Sequence, residues 1–156
     1  MTDSSPRLFH SSGVRGFSAF VSSHPARVSA RKLEREFEAE FTPVARTVQT
    51  PEGAVHAEPG DAIVTGSSGE RWPVSRTLFA QRYRAVSPTT DGQAGRYMSQ
   101  PHKVIAVQMK EPFEVVLPDG VSRLHGHPED WLIDYGDGSL GVISPGIFAA
   151  TYRIEG

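Results

Sequence analysis

The chain of 156 residues contains no cysteine. That absence removes disulfides, thiol nucleophiles and thiolate-ligated zinc together, and makes an intracellular, cytoplasmic location the expectation. No apolar run approaches the roughly 18–20 residues that a bilayer crossing requires. A secretory hydrophobic segment is also missing, so the sequence gives no sign of export. There is no phosphate-cradling glycine loop, no nucleophile elbow, no H-E-x-x-H pair, and no Ser, His and Asp at a spacing that marks a triad. Net charge is −2, which excludes a strongly basic nucleic-acid protein as a whole.

The charge is uneven along the chain. Residues 1–100 carry twelve Lys or Arg against ten Asp or Glu, while residues 101–156 carry four against eight. Between residues 4 and 33 there are five basic residues (Arg7, Arg15, Arg27, Arg31, Lys32) and no acidic one. Such a Ser-rich, acid-free start suits a flexible tail, an organelle transit peptide over residues 1–33, or a basic arm on an anionic partner. Two apolar patches within it, at Leu8-Phe9 and from Phe17 to Val21, could dock on the body or on a partner.

What is abundant is turn chemistry: fifteen Gly and twelve Pro among 156 residues, with modest hydrophobic content, favour a turn-rich β protein. The organising pattern is an internal match at a shift of 69 residues. Residues 59–84 lie without a gap on residues 128–153, with identity at Pro59/Pro128, Asp61/Asp130, Gly69/Gly138, Ser75/Ser144, Phe79/Phe148, Ala80/Ala149, Tyr83/Tyr152 and Arg84/Arg153. Average residue usage would give roughly one or two such identities by chance. Upstream, Pro25-Ala26-Arg27-Val28-Ser29-Ala30 resembles Pro101-His102-Lys103-Val104-Ile105-Ala106. Thr50-Pro51-Glu52-Gly53 resembles Leu117-Pro118-Asp119-Gly120, and Pro, acid and Gly between extended segments signal a hairpin.

The expected fold is mainly β (α+β): two tandem, pseudo-symmetric, barrel-like β repeats, each closed by a short C-terminal helix. The expected division is an arm at 1–23, a first repeat at 24–86, a linker at 87–100 and a second repeat at 101–156. Leu33, Phe37 and Phe41 stand at helical spacing in a charged stretch and predict a short amphipathic helix over residues 34–40. Units of roughly 60 residues are marginal alone.

Most shared residues are structural by type: Asp61 and Asp130 cap turns, Gly69 and Gly138 make them, and the Phe/Tyr pairs fill the core. Positions where the two copies differ are freer to carry function. Arg71 and Trp72 correspond to Leu140 and Gly141, while Trp131 corresponds to Ala62 and Tyr135 to Gly66. Arg71, Trp72 and Arg76, with Trp131 and Tyr135, are therefore candidate ligand-binding residues through stacking and anion contact; ordinary cross-strand packing is the structural alternative for Trp72. His125-Gly126-His127 offers two imidazoles on one strand face, with Glu129 or Asp130 as a carboxylate, a candidate divalent-metal set. Gly120, His125, His127, Glu129 and Gly136 partly resemble the first cupin motif. The Glu falls too soon after the second His, however, and no second motif follows.

Each copy resembles a small domain found in tailed-phage and bacterial proteins of the pattern G-D-[WY]-hydrophobic, G-E-x-[YW]-P, F-x-x-T-Y. The first copy carries it as Gly60-Asp61, Ile63-Val64, Gly66, Gly69-Glu70, Trp72-Pro73, Phe79 and Tyr83. The second carries Asp130-Trp131-Leu132-Ile133, Gly138, Phe148 and Thr151-Tyr152. The resemblance implies a β-rich fold of phage or mobile-element origin and no activity. The expected function is a non-enzymatic binding or assembly module for a protein partner or small ligand, without cofactor. A metal-dependent or small-molecule enzyme using His125 and His127, and nucleic-acid contact through the arm with Arg71, Trp72, Arg76, Arg82 and Arg84, are the alternatives.

Overall fold

The structure is a computed structural model that describes residues 6–11 and 19–155. In chain order its elements are β1 (Arg7–His10), α1 (Ala19–Ser23), β2 (Val28–Lys32), β3 (Glu36–Phe41), β4 (Arg46–Thr50), β5 (Gly53–Ala57), β6 (Ala62–Thr65), β7 (Arg71–Val74), α2 (Arg76–Arg82), β8 (Tyr83–Ala85), β9 (Gly95–Ser99), β10 (Lys103–Gln108), β11 (Phe113–Val116), β12 (Arg123–Gly126), β13 (Trp131–Asp134), β14 (Leu140–Ile143), α3 (Pro145–Thr151) and β15 (Tyr152–Glu155). The chain is mainly β, in several open sheets. None closes into a barrel, contrary to the sequence expectation.

The elements form two compact units. Unit 1 holds residues 1–31 and 103–156, and unit 2 is the unbroken segment 32–102. Unit 1 has a five-stranded sheet in the order β14-β13-β10-β2-β15, and unit 2 has one in the order β7-β6-β3-β9-β8. The central pairings agree in register: Ala39 is opposite Val64 in unit 2, and Ala106 is opposite Ile133 in unit 1. Position by position, β7, β6, β3, β9 and β8 are the counterparts of β14, β13, β10, β2 and β15. The chain order differs, however. In unit 1 the strand beside β10 comes first, as β2, whereas its counterpart β9 comes last in unit 2.

Several expectations are corrected here. Residues 36–41 form the central strand β3, not a helix: Phe37, Ala39 and Phe41 alternate onto one face, and the four-residue spacing of Phe37 and Phe41 fits a strand as well as a helical turn. The stretch 87–100 is not all connection, since it contains β9 with Tyr97 and Ser99 fully buried. The segments from Pro25 and Pro101, alike in sequence, do not occupy corresponding places. They become β2 and β10 and pair with each other antiparallel, Val104 opposite Ala30 and Ala106 opposite Val28. Each closing helix is followed by a further strand rather than ending its unit.

One face of each five-stranded sheet packs on its short helix. In unit 2, Phe37, Phe41, Tyr97 and Val64 meet Phe79 and Tyr83. In unit 1, Ala106, Ile133 and Trp131 meet Phe148 and Tyr152. Both helices begin on a serine cap, Ser75 accepting from the Leu78 N–H and Ser144 from the Ile147 N–H. Large aromatics occupy alternate sites. Trp131 stacks on Phe148 at 4.1 Å, whereas Ala62 takes the Trp131 place in unit 2 and its cross-strand partner Phe41 packs on Phe79 at 5.3 Å. Trp72 packs edge-on against Phe37, while in unit 1 Gly141 leaves room that the Tyr135 ring fills.

The opposite faces differ. In unit 1 the hairpin β11–β12 gains a third strand, β1, which runs parallel to β11. Phe9 of β1 and Val21 of α1 join Val107, Phe113, Val115, Leu132, Leu140 and Val142 in a closed core. The N-terminal apolar patches therefore dock on the body where they are described; Phe17 and Arg15 lie outside the described residues. In unit 2 the hairpin β4–β5 stays two-stranded and covers only Ile63, with Val48 and Ala57. Glu38, Glu40 and Arg71 stand where unit 1 has Ile105, Val107 and Leu140.

Candidate functional site

The one buried cation of the described residues marks unit 2. Along β2, Val28, Ala30 and Lys32 share the inward side, so strand alternation carries the Lys32 side chain inward. Its Nζ lies 3.3 Å from the Tyr83 hydroxyl and over the rings of Tyr83 and Phe37, at 4.9 and 5.5 Å. Burial, and secondarily the Arg82 guanidinium, lower its pKa from 10.5 to about 7. Near neutral pH this amine is therefore divided between its charged and neutral forms.

Tyr83 connects Lys32 to a cleft of about 340 Å³ beside α2. Phe41, Phe79, Tyr83 and Tyr97 make its aromatic wall, with Phe79 stacked on Tyr83 at 4.8 Å and edge-on to Tyr97 at 4.8 Å. Arg76, Arg84, Asp91 and Gln100 are polar lining residues. The first residue of α2, Arg76, extends its guanidinium past Gly60 and Gly92, where added methyl groups would stand 3.9 and 3.8 Å from it. Both glycines have positive φ, +91° and +87°, so the turns that flank this arginine need residues without a side chain. Tyr97 fixes the loop beyond: its hydroxyl lies 2.6 Å from the Gln93 carbonyl and 3.2 Å from that of Thr90. Burial raises the Tyr97 phenol above its usual pKa, which keeps that hydroxyl a donor. Among the described residues, neither Arg76 nor Arg84 forms a salt bridge with a carboxylate.

The candidate ligand residues are dispersed. Only Arg76 lines the cleft. Arg71 is hydrogen-bonded to Glu40 on the other sheet face, Trp72 is packed on Phe37, Trp131 on Phe148, and Tyr135 over Gly141. The candidate metal residues are also separately engaged. His125 Nδ1 is 2.7 Å from Glu114, Glu129 is 3.0 Å from the Lys110 ammonium, and the backbone N–H of His127 donates to Asp130. No group of three His, Asp or Glu among the described residues is placed to hold a metal ion. His56, at the matching place in β5, is likewise paired with a carboxylate, Glu58, at 2.7 Å. Asp61 and Asp130 act as turn caps, accepting from the N–H groups of Glu58 and His127 at 2.9 Å.

The cleft residues Phe41, Tyr97 and Gln100 carried no motif in the sequence. Inward alternation at Lys32 was the one usable signal. No helix of the described residues is long and apolar enough to cross a membrane.

Residues 53–153 match the family described as PGDYG protein. The chain belongs to the PGDYG protein family. The matched stretch contains Pro59-Gly60-Asp61, the corner on which Arg76 rests, and runs to Arg153 of β15. No curated protein and no solved structure matches the chain. PGDYG membership thus covers most of both units and brings no activity with it.

Proposed function

We propose that the protein is a non-enzymatic binding module whose ligand is a small anion with an aromatic or apolar body, held in the cleft beside α2. The observation that carries this reading is the pair Arg76 and Arg84, unpaired with carboxylates, at a cleft walled by Phe41, Phe79, Tyr83 and Tyr97. Guanidinium groups bind carboxylate and phosphate with two parallel hydrogen bonds, and aromatic faces take up a planar body. Asp91, also at the cleft, disfavours a multiply charged anion near its side of the site. Unit 1 keeps Phe148, Tyr152 and Arg153 at the places of Phe79, Tyr83 and Arg84 but lacks the other counterparts. Pro145 replaces Arg76, Gln108 replaces Phe41 and Ala30 replaces Tyr97, so the site belongs to unit 2 alone.

Two further readings accompany this one. The shared strand order, the agreeing registers and the eight identities at a 69-residue shift support descent of the two units from one duplicated unit. The sequence pattern is the ground for a phage or mobile-element origin.

Calorimetric titration of the full chain with benzoate, phenyl phosphate and inorganic phosphate tests the binding reading. Phenyl phosphate or benzoate is expected to bind in the micromolar to millimolar range. Arg76→Ala/Arg84→Ala is expected to weaken it at least tenfold, while phosphate alone binds less well. Equal affinity in the double variant, or no heat with any of the three, rejects the proposal.

A further inference from the structure

Unit 1 shows how a hairpin in this architecture accepts an extra segment. β1 lies parallel on the outer edge of β11, with Arg7 opposite Phe113 and His10 opposite Val116. The Ser11 N–H then donates to the Val116 carbonyl at 2.8 Å. α1 follows and packs beside β10 and β13, with Val21 fully buried. In unit 2 both parts of that footprint are open among the described residues. β4, the counterpart of β11, pairs only with β5, so its outer edge presents unpaired backbone groups. On β3 and β6, the counterparts of β10 and β13, there is a groove of about 280 Å³ whose lining includes Glu38, Glu40, Ile63, Thr65, Gly95 and one cation, Arg71, which is paired with Glu40.

We infer that unit 2 has a docking site for a basic, extended peptide segment of a partner protein, adding as a parallel strand on β4 and continuing into the groove on β3 and β6. Three observations define the occupant. An open strand edge recognises extended backbone through hydrogen bonding. The third residue of the segment falls at the level of Val48, where unit 1 places Phe9 opposite Val115, so an apolar residue suits that position. Beyond it, Glu38 and Glu40 replace the apolar Ile105 and Val107 that receive α1. Glu40 is already shared between Arg71 and Arg46, whereas Glu38 forms no ion pair among the described residues. An arriving Lys or Arg meets that carboxylate, where unit 1 has Val21 on an apolar surface. This site is on the sheet face opposite the α2 cleft and does not depend on the binding function proposed for it.

A synthetic peptide with the sequence of residues 6–25 of this chain and the change Val21→Lys is the probe, since it carries the strand that unit 1 accepts, a cation at the place that faces Glu38, and no acid. It is titrated into the ¹⁵N-labelled full chain and followed by amide chemical shifts. The expected result is saturable shifts at residues 46–49 and at Glu38, Ile63 and Thr65. Glu38→Lys should weaken the apparent affinity at least fivefold, with Glu34→Lys leaving it unchanged. Absence of shifts, shifts confined to residues 113–116 through exchange with β1, or equal affinity in Glu38→Lys overturns the proposal.

Discussion

Units 1 and 2 share a sheet order, a central register and a capped helix, yet they solve the covering of that sheet differently. On the helix side, for the residues opposite the helix, the large aromatic changes place. Trp131 opposite Gln108 in unit 1 becomes Phe41 opposite Ala62 in unit 2, so each cross-strand pair contributes one large aromatic to the helix. On the other side the difference is one of kind. Unit 1 buries eight apolar side chains there with the help of β1 and α1, and unit 2 buries three. A β-sheet with one covered face tolerates charge on the other, as antiparallel sheets do. Glu38, Glu40 and Arg71 are that tolerance in use. The units share their strand order and differ in what covers the second sheet face.

The largest effect that separates them is expected at the hairpins. Phe113 is fully buried and presses on Gly126, where an added methyl would stand 2.2 Å from its ring; its counterpart is the exposed Arg46 opposite Ala57. Phe113→Ala should destabilise unit 1 by about 3–5 kcal/mol, and Arg46→Ala should change unit 2 by less than about 0.5 kcal/mol. Each unit contains one tryptophan, Trp131 and Trp72, so urea unfolding of Trp72→Phe and Trp131→Phe backgrounds reads the two separately. Equal losses would erase the distinction.

Next in size is the pH dependence of unit 2. The unfolded chain protonates Lys32 near pH 10.5 and the folded chain near 7, so the unfolded state holds more protons between those values. Stability therefore rises with pH through that window and is level below about 7. From pH 7 to 9 the gain is about 2–3 kcal/mol, at about 1.4 kcal/mol per unit. Unit 1 has no such group at the corresponding place. The urea midpoint followed by Trp72 should climb over this range, and Lys32→Met should flatten the climb; an unchanged slope in that variant refutes the assignment.

The smallest effect tests what the units have in common. Ser75→Ala and Ser144→Ala each remove a helix cap, and each should cost its own unit about 1 kcal/mol. Thermal unfolding that shows a cost in one unit alone would mean the two helices are not equivalent supports.

How much of this was legible in the sequence varied by element. The turn at Gly69 and Gly138, the buried strands at Ile63-Val64 and Leu132-Ile133, and the Phe79/Tyr83 and Phe148/Tyr152 pairs follow from local chemistry, and the structure places them as expected. β3 was hidden because Leu33, Phe37 and Phe41 satisfy a helical period while Phe37, Ala39 and Phe41 satisfy a strand. β9 was hidden because Gly95 and Arg96 follow a run of Ser, Thr, Asp and Gly, and only its place between β3 and β8 buries Tyr97. The candidate site depended on pairing between distant segments. Phe41, Arg76, Asp91 and Gln100 converge through sheet order, which periodicity does not encode. The differing residues Trp72, Trp131 and Tyr135 drew attention because large side chains changed place, and the sheet register shows that these changes compensate one another in packing; Arg71, on the other face, pairs with Glu40 where unit 1 buries Leu140.

The chain leaves unit 1 after Arg31 and re-enters it at Lys103, and these two residues are paired neighbours in adjacent strands. Within unit 2 the Lys32 N–H donates to the His102 carbonyl at 3.0 Å, so that unit's own two ends lie side by side. Unit 2 is thus inserted in the chain of unit 1 between β2 and β10. As a loose loop, 71 residues would make the meeting of β2 and β10 costlier than a tight turn by about 3 kcal/mol, at about 0.6 kcal/mol for each doubling of length. Once folded, the same segment presents Arg31 and Lys103 to each other at hairpin spacing. During synthesis β2 emerges before its partner strand exists, and the segment that separates them becomes the device that joins them.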